Sequence, residues 1–368
     1  MTDEPITYAG AGVDIHAGDK AVELMKSAVA RTHGPEVLGG VGAFAGLFDA
    51  SALLGYKRPL LASSTDGVGT KIVIARALGV HDTIGQDLVA MVVDDIVVCG
   101  AKPLLMTDYI ACGRVVPERI ADIVRGIAEG CELAGVALVG GETAEHPGVM
   151  EPDDYDVAGA AIGVVDADDV LGPEKVRAGD VVVAMASSGL HSNGYSLVRR
   201  IVAHAGWALE DERPELGRTL GEELLEPTRI YARLCVDLAA HVPGLHALSH
   251  VTGGGLGANL ARVLPVGLAA SVDRASWQLP PVFSMLQAAG SVPWGDLEQT
   301  LNLGVGMVAV VAPDEVDAVV RACSAAGVEA WVLGEVGADD GRATSPDVVR
   351  GAKGVDGGAV YLSGSYRV

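Results

Sequence analysis

Hydrophobic and polar positions along the chain switch repeatedly between a period of two and a period near 3.6, which predicts strands and helices in mixed order. Residues 60–64 form a short apolar run ending in Asp66-Gly67, the pattern of a strand and its exit turn. Residues 82–99 read as a helix capped by Asp82 or Thr83 and closed by Gly100, and 104–111 as a strand. Residues 117–134 read as a second helix, with Pro117 at its start and Gly135 past its end. Residues 136–139 and 157–165 read as buried strands. The polar stretch 166–179, with Gly172-Pro173, then interrupts the pattern.

A second alternation follows. Strands are expected at 181–186, 247–251, 268–272, 306–311 and 331–336, and helices at 195–205, 227–241, 256–264 and 315–326. This order implies mixed α/β (α+β) layers. A chain of 368 residues exceeds what one core usually supports, so two domains are expected, residues 1–170 and 171–343. Residues 344–368 are polar and Gly-rich and read as a weakly structured tail.

Composition narrows the function. Charged residues are 20% of the chain and the net charge is −22, which argues against nucleic acid or an anionic membrane as partner. The odd cysteine count, five without a C-x-x-C pair, argues against a disulfide framework or zinc site. No run of 18 apolar residues occurs, and the acidic Met1-Thr2-Asp3-Glu4-Pro5 start lacks an apolar leader, so a cytoplasmic protein is expected. Glycine is abundant, 49 residues, and clusters beside polar residues, as in loops that bring backbone close to a ligand.

Four clusters carry candidate chemistry. In Ser63-Ser64-Thr65-Asp66-Gly67-Val68-Gly69-Thr70-Lys71, bared backbone N–H groups and hydroxyls suit phosphate oxygens, Lys71 suits their charge, and Asp66 suits a hard cation; a Gly-rich hairpin with a surface lysine would look the same. Asp87 and Asp94 share one face of an apolar helix and Asp95 lies beside it, a costly arrangement unless Mg²⁺ or hydrogen-bond donors meet the carboxylates; an exposed polar stripe is the alternative. Gly140-Gly141-Glu142-Thr143-Ala144-Glu145 places a carboxylate just past a strand, while Asp108 inside a strand-like run is as readily an interior hydrogen-bonded residue as a functional one. Ser187 to Gly194 and Thr252 to Gly257 each precede a helix, where unpaired N–H groups can bind an anion, or simply cap the helix. Gly304-Val305-Gly306-Met307-Val308-Ala309 fits a dinucleotide pattern, but a strand follows it, so no Rossmann site is expected.

Taken together these strings resemble the phosphoribosylformylglycinamidine cyclo-ligase family, also called aminoimidazole ribonucleotide synthetase. The resemblance runs from about Tyr8 to Gly337 and rests on Asp66-Gly67-Val68-Gly69-Thr70-Lys71, Gly140 through Glu145, Asp154 through Gly159, His191-Ser192-Asn193-Gly194-Tyr195 and Thr252-Gly253-Gly254-Gly255. It implies a homodimer whose N-terminal domains, each a small sheet with flanking helices, associate through their sheets into a shared barrel with ATP near the interface, and a C-terminal α/β sandwich domain. It implies ATP-dependent ring closure of formylglycinamidine ribonucleotide, with Mg²⁺ and usually a monovalent cation such as K⁺. By resemblance, Lys26, Ser64, Thr65, Asp66, Gly67, Gly69, Thr70 and Lys71 attend ATP. Asp66, Asp94, Asp95 and Glu142 attend the metal, with Asp94 less secure because some relatives carry Asn there. Ser192, Asn193 and Gly194 match the family loop that faces the substrate. From the helix-start reading, Ser188, Thr252 and Gly253 join them as candidates for its phosphate, and the expected phosphoryl-transfer chemistry makes Lys71 the candidate for charge neutralisation and His191 the first candidate for proton transfer. Two rival readings are a sister ATP-using enzyme, such as a thiamine-phosphate kinase or a selenophosphate synthetase, and a non-catalytic nucleotide-binding scaffold. No cysteine precedes Cys99, against the selenophosphate reading, and the retained carboxylates speak against the scaffold.

Overall fold

A computed structural model describes Thr7 and residues 11–40, 42–352 and 354–368. Tyr8, Val41, Lys353 and the Met1-to-Pro5 terminus lie outside the described residues, as does the side chain of Ala352. The N-terminal part runs α1 (Ile15–Arg31), β1 (Val37–Leu38), β2 (Leu47–Phe48), β3 (Pro59–Gly67), α2 (Ile72–Leu78), α3 (Thr83–Val97), β4 (Lys102–Cys112), α4 (Pro117–Ala134), β5 (Ala137–Glu145) and β6 (Tyr155–Asp166). The C-terminal part runs β7 (Val181–Ala186), α5 (Tyr195–Ala205), β8 (Glu212–Arg213), β9 (Arg218–Thr219), α6 (Leu220–Leu225), α7 (Ala232–His241), β10 (Leu245–His250), α8 (Gly255–Arg262), β11 (Leu268–Asp273), α9 (Pro281–Gly290), α10 (Trp294–Glu298), β12 (Val305–Val311), α11 (Val316–Ala325), β13 (Ala330–Ala338), β14 (Val348–Ala352) and β15 (Val355–Ser363). Among the described residues no helix is long and apolar enough to cross a membrane.

Two sheets organise these elements. The first has the order β3-β6-β4-β5, with β4 and β5 parallel and the other pairs antiparallel. One face buries Met106, Ile110, Val157 and Ala161 against a core that includes residues of α3 and α4. The other face is bare. Side chains alternate across a strand, and Leu61, Tyr109 and Ile162, 64%, 41% and 37% exposed, look outward without a covering layer. The second sheet has seven strands in the order β10-β12-β7-β13-β11-β15-β14, of which β12 is buried along its whole length.

The helix α3 joins the two parts. Twelve of its 15 residues are buried, the signature of a helix enclosed on all sides rather than laid on a surface. It packs on β3 and β6 and also against α7 and β10, so one apolar core continues from the first part into the second.

Three expectations change. Residues 344–368 are not a weakly structured tail: β15 pairs in parallel with β11, Ala269 opposite Ala359 and Val272 opposite Leu362, and β14 forms the sheet edge. Ala359 and Val360 are fully buried. The glycines there serve close approach, since a Cβ on Gly358 would press on the backbone of Leu268 and Pro265. The strand expected at 136–139 continues to Glu145, because Gly140 through Glu145 pair with Thr107 through Cys112 of β4; Glu142 therefore lies within a strand. The helix expected from 227 begins at Ala232, because the backbone of 226–231 is engaged by side chains of the N-terminal part.

Deleting residues 344–368 would uncover β11, and a bare apolar edge strand invites aggregation. The truncated chain is expected to be insoluble or to melt at least about 10 °C lower, on the scale of several kcal/mol for a chain of this size. A melting temperature within about 1 °C of the full chain would fit a loose tail instead.

Candidate active site

The strand β3 delivers Ser64, Thr65 and Asp66 to one edge of the first sheet and ends at Gly67. Thr65, Asp66, Gly69 and Thr70 are exposed there, and Ser64 is half-buried. Asp66 Oδ1 accepts from the Gly67 N–H (2.8 Å), and the Thr70 hydroxyl meets that of Ser196 on α5 (3.2 Å), so the loop touches the second part of the molecule.

Lys71 departs from its expected place. It is fully buried, and its ammonium donates to Asp87 Oδ1 (2.8 Å), the His191 carbonyl (3.0 Å) and the Glu226 carbonyl (2.7 Å). Three acceptors use all three ammonium donors, which leaves none for a phosphate. Asp87 Oδ1 also accepts from the Thr228 N–H (2.8 Å) and hydroxyl (2.6 Å). Burial lowers the Lys71 pKa and raises that of Asp87, and their mutual attraction opposes both shifts. The pair is a tie between the two parts of the molecule, and Lys71 is corrected from a phosphate ligand to a structural residue.

His191 is corrected as well. Its ring is 1% exposed, and its pKa falls well below the usual histidine value, first through burial and then through the neighbouring His250 and Lys71 charges. Nε2 accepts from the Ser188 N–H (3.2 Å), while Nδ1 is buried without a partner. The backbone at His191 is left-handed (φ 62°), held by the bond from Lys71 to its carbonyl. A neutral ring shut off from solvent shapes the loop and is not poised to shuttle protons.

The α3 carboxylates divide by direction. Asp94 is fully buried, and both its oxygens accept from the Tyr231 N–H (3.1 Å) at the start of α7. Burial pushes its pKa up to about 7. It is a helix anchor, not a metal ligand, which corrects that assignment. Asp95 points the other way: its side chain is 44% exposed and accepts from His250 Nδ1 at 2.9 Å. Burial lowers the His250 pKa, but this bond and the nearby charges of Asp94, Asp95 and, least, Asp66 outweigh it and leave the pKa raised. A cavity of about 310 Å³ opens beside them, lined by Ser63, Ser64, Asp95, His250, Asn259 and Arg262. Sequence reasoning missed His250, Asn259 and Arg262; the available signal was a histidine at the carboxyl end of β10, where α/β sheets place ligands. Glu142 is far from this group. Asp66 pairs with Gly159, Gly159 with Asp108, and Asp108 with Gly141, so Asp66 and Gly141 occupy opposite edges of the sheet, about 14 Å apart at three strand spacings. Among the described residues no three metal-binding side chains gather within one chain.

The loops of the second part meet each other. Gly253 donates its N–H to Asn193 Oδ1 (3.0 Å), which joins the turn before α5 to the turn before α8. Gly194 takes a left-handed φ of 78° just before α5. The Ser188 hydroxyl bonds the Pro227 carbonyl (2.6 Å), Ser192 bonds the Val68 carbonyl (2.8 Å) and Thr252 reaches Asn259 (3.5 Å), so these side chains tie loops together. Lys26 sits on α1 with its ammonium on Glu23 (2.8 Å), an exposed pair that contributes little to stability.

A second cavity, about 580 Å³, lies between α1, the 42–46 loop and the β5 edge. Ala21, Val22 and Met25 form an apolar wall, and Glu142 and Thr143 lie at its strand side. Asp108 also reaches it, half-buried, with its pKa raised to about 7 by burial.

Comparison with known proteins fits this arrangement. The family profile described as AIR synthase related protein, N-terminal domain, matches residues 49–165, and that described as AIR synthase related protein, C-terminal domain, matches residues 177–345. The chain is 52% identical over 330 residues to a phosphoribosylformylglycinamidine cyclo-ligase of Desulfitobacterium hafniense, covering 90% of this chain and 96% of that protein. It is 51% identical over 330 residues to the cyclo-ligase of Geobacillus kaustophilus, covering 89% and 95%. Among solved structures it is similar to thiamine-monophosphate kinase from Stenotrophomonas maltophilia (TM-score 0.65, 20% identity, 93% of this chain and 96% of that one). It is also similar to E. coli HypE, a hydrogenase maturation protein (TM-score 0.61, 18% identity, 94% and 95%). At such identities the structural likeness shows the fold alone.

Lys71→Met strands the Asp87 carboxylate in the interior and is expected to cost about 3–5 kcal/mol of stability. Lys71→Met combined with Asp87→Leu removes both charges and should cost clearly less than the single change. Chemical denaturation of the wild type, the two single variants Lys71→Met and Asp87→Leu and the double variant checks this; a double variant as damaged as the sum of the singles would show that the two charges do not act as a unit.

Proposed function

The chain belongs to the phosphoribosylformylglycinamidine cyclo-ligase family, and on that premise we propose that it closes formylglycinamidine ribonucleotide to aminoimidazole ribonucleotide, converting ATP to ADP and phosphate, in cytoplasmic purine biosynthesis. One observation carries the reading within the molecule: Asp95 on α3 bonds His250 at a cavity shared by both parts of the chain, which Ser63 and Ser64 of β3, the strand that carries Asp66, also line. The sequence relatives at about half identity are cyclo-ligases, which favours this activity over the kinase that shares the fold.

The chemistry follows from the substrate. Its formyl oxygen is a poor leaving group. ATP phosphorylates that oxygen, the amidine nitrogen attacks the same carbon, and phosphate departs as the five-membered ring closes. The exposed Thr65, Gly69 and Thr70 and the half-buried Ser64 and Gly67 present hydroxyls and backbone to the phosphates. The protein's part is positioning and water exclusion, because the phosphorylated intermediate would otherwise hydrolyse. Arg262 at the second-part wall, oriented by the buried Asn259 whose amide oxygen accepts from it (3.3 Å), suits the substrate's own phosphate, with the joined turns before α5 and α8 beside it.

Asp66 and Asp95 supply the hard oxygen donors that Mg²⁺ prefers, and the ion would neutralise charge on the transferring phosphoryl group. The resemblance adds a monovalent cation such as K⁺. Glu142 joins this set if two chains associate through the bare faces of their four-stranded sheets, which is what supports a homodimer here: Leu61, Tyr109 and Ile162 would be buried, and the β5 edge of one chain could approach the β3 edge of the other. The net charge of −22 speaks against a nucleic-acid or membrane partner.

Purified protein with formylglycinamidine ribonucleotide, ATP and Mg²⁺ is expected to form aminoimidazole ribonucleotide; absence of product defeats the reading. Asp95→Asn should reduce turnover on the order of 100-fold, with a raised Mg²⁺ requirement, whereas Asp94→Asn should leave that requirement unchanged. Separately inactive Asp66→Asn and Glu142→Gln proteins, unfolded and refolded together, should regain about a quarter of wild-type activity, since half the dimers are mixed and each holds one intact site. No recovery would place both residues in a site within one subunit.

A further inference from the structure

The ring-closure chemistry leaves Asp108 unused. It lies in the middle strand pair of the first sheet, directly opposite Gly141 on β5. Its carboxylate rests over that glycine, where any Cβ would collide with Oδ1. Gly141 thus keeps open the path by which Asp108 reaches the 580 Å³ cavity under α1. Among the described residues no side-chain donor meets this carboxylate, and the one bond that offsets its burial comes from its own backbone N–H. The carboxylate is half-buried and faces the cavity with room for a donor from a ligand.

The cavity shows which donor fits. The apolar wall of Ala21, Val22 and Met25 faces the glycine-rich 42–46 loop, a slot suited to a flat ring. Glu142, proposed to attend the phosphate-bound metal, lines the same cavity. A nucleotide with its phosphates at Glu142 would have its base in the slot near Asp108. Adenine carries an exocyclic amino donor, while guanine and hypoxanthine carry a carbonyl oxygen at the same position. In its ionised form, which prevails above about pH 7, the Asp108 carboxylate accepts from the first and repels the second.

We infer that Asp108 is the residue that selects adenine, accepting a hydrogen bond from the 6-amino group of ATP within the cavity under α1. The inference rests on the proposed reading of ATP as phosphoryl donor. It differs from that reading in what it predicts for the base.

Calorimetric titration of the full-length protein with Mg²⁺ and ATP, inosine triphosphate or purine riboside triphosphate, which lacks the 6-amino group, tests it without relying on turnover. Wild-type protein is expected to bind ATP about 10–100-fold more tightly than purine riboside triphosphate, the scale of one hydrogen bond to a charged group. Asp108→Ala should bring ATP down to the affinity of purine riboside triphosphate and leave the latter unmoved. Asp108→Asn, whose amide can accept or donate, should retain ATP and gain affinity for inosine triphosphate. Equal wild-type affinities for ATP and purine riboside triphosphate overturn the inference and need no variant to fold. So does an Asp108→Ala protein that weakens both nucleotides alike. In either case ATP still binds and the donor reading survives. Wild-type protein that binds none of the three overturns the donor reading, and the inference with it.

Discussion

The structure turns on a lysine and an aspartate that have no contact with water. Lys71 and Asp87 belong to the N-terminal part, yet their remaining hydrogen bonds go to His191, Glu226 and Thr228 of the C-terminal part. Burying two charges is tolerable only when they pair with each other and further hydrogen bonds offset the lost hydration. Here Lys71 finds three acceptors, and one oxygen of Asp87 takes three donors, while its second oxygen is left without a partner. The two parts are therefore held in a definite relation, because sliding one against the other would leave buried charge unmatched.

That relation builds the cleft. The helix α3 runs through the junction and turns its three carboxylates to different tasks. Asp87 completes the ion pair, Asp94 anchors the start of α7, and Asp95 reaches out to His250. With the junction so fixed, the end of β3 lies near His250, and the turns before α5 and α8 bond to each other. The same tie explains why residues 226–231 are not helical: their carbonyl and N–H groups are spent on Lys71, Asp87 and Asp94. It also accounts for the left-handed His191, whose carbonyl is an acceptor for Lys71.

The first sheet contributes differently. Its inner face carries the apolar core, its outer face is bare, and its two edges carry Asp66 and Glu142. The register keeps these two carboxylates three strands apart within one copy of this sheet. The bare face and the separated carboxylates are thus two consequences of one architecture.

Much of this was legible in the residues alone. The strand and helix order, the helix over residues 117–134 with its Pro117 start and Gly135 stop, and the ordered motifs follow from local periodicity and cap chemistry, which depend only on near neighbours. Which way a polar side chain points did not follow. Lys71 in a glycine-rich loop and Asp94 on an apolar helix looked like phosphate and metal ligands, because sequence spacing cannot distinguish a charge matched by a ligand from one matched by a distant segment. The end of the chain was misjudged for a related reason: β15 is stabilised by pairing with β11, some 90 positions earlier, and no local pattern carries that contact. Sequence determined the elements and the kinds of chemistry at hand; the tertiary structure decided which charges hold the molecule together and which are left to meet a ligand, since burial and partnership are properties of the packed chain.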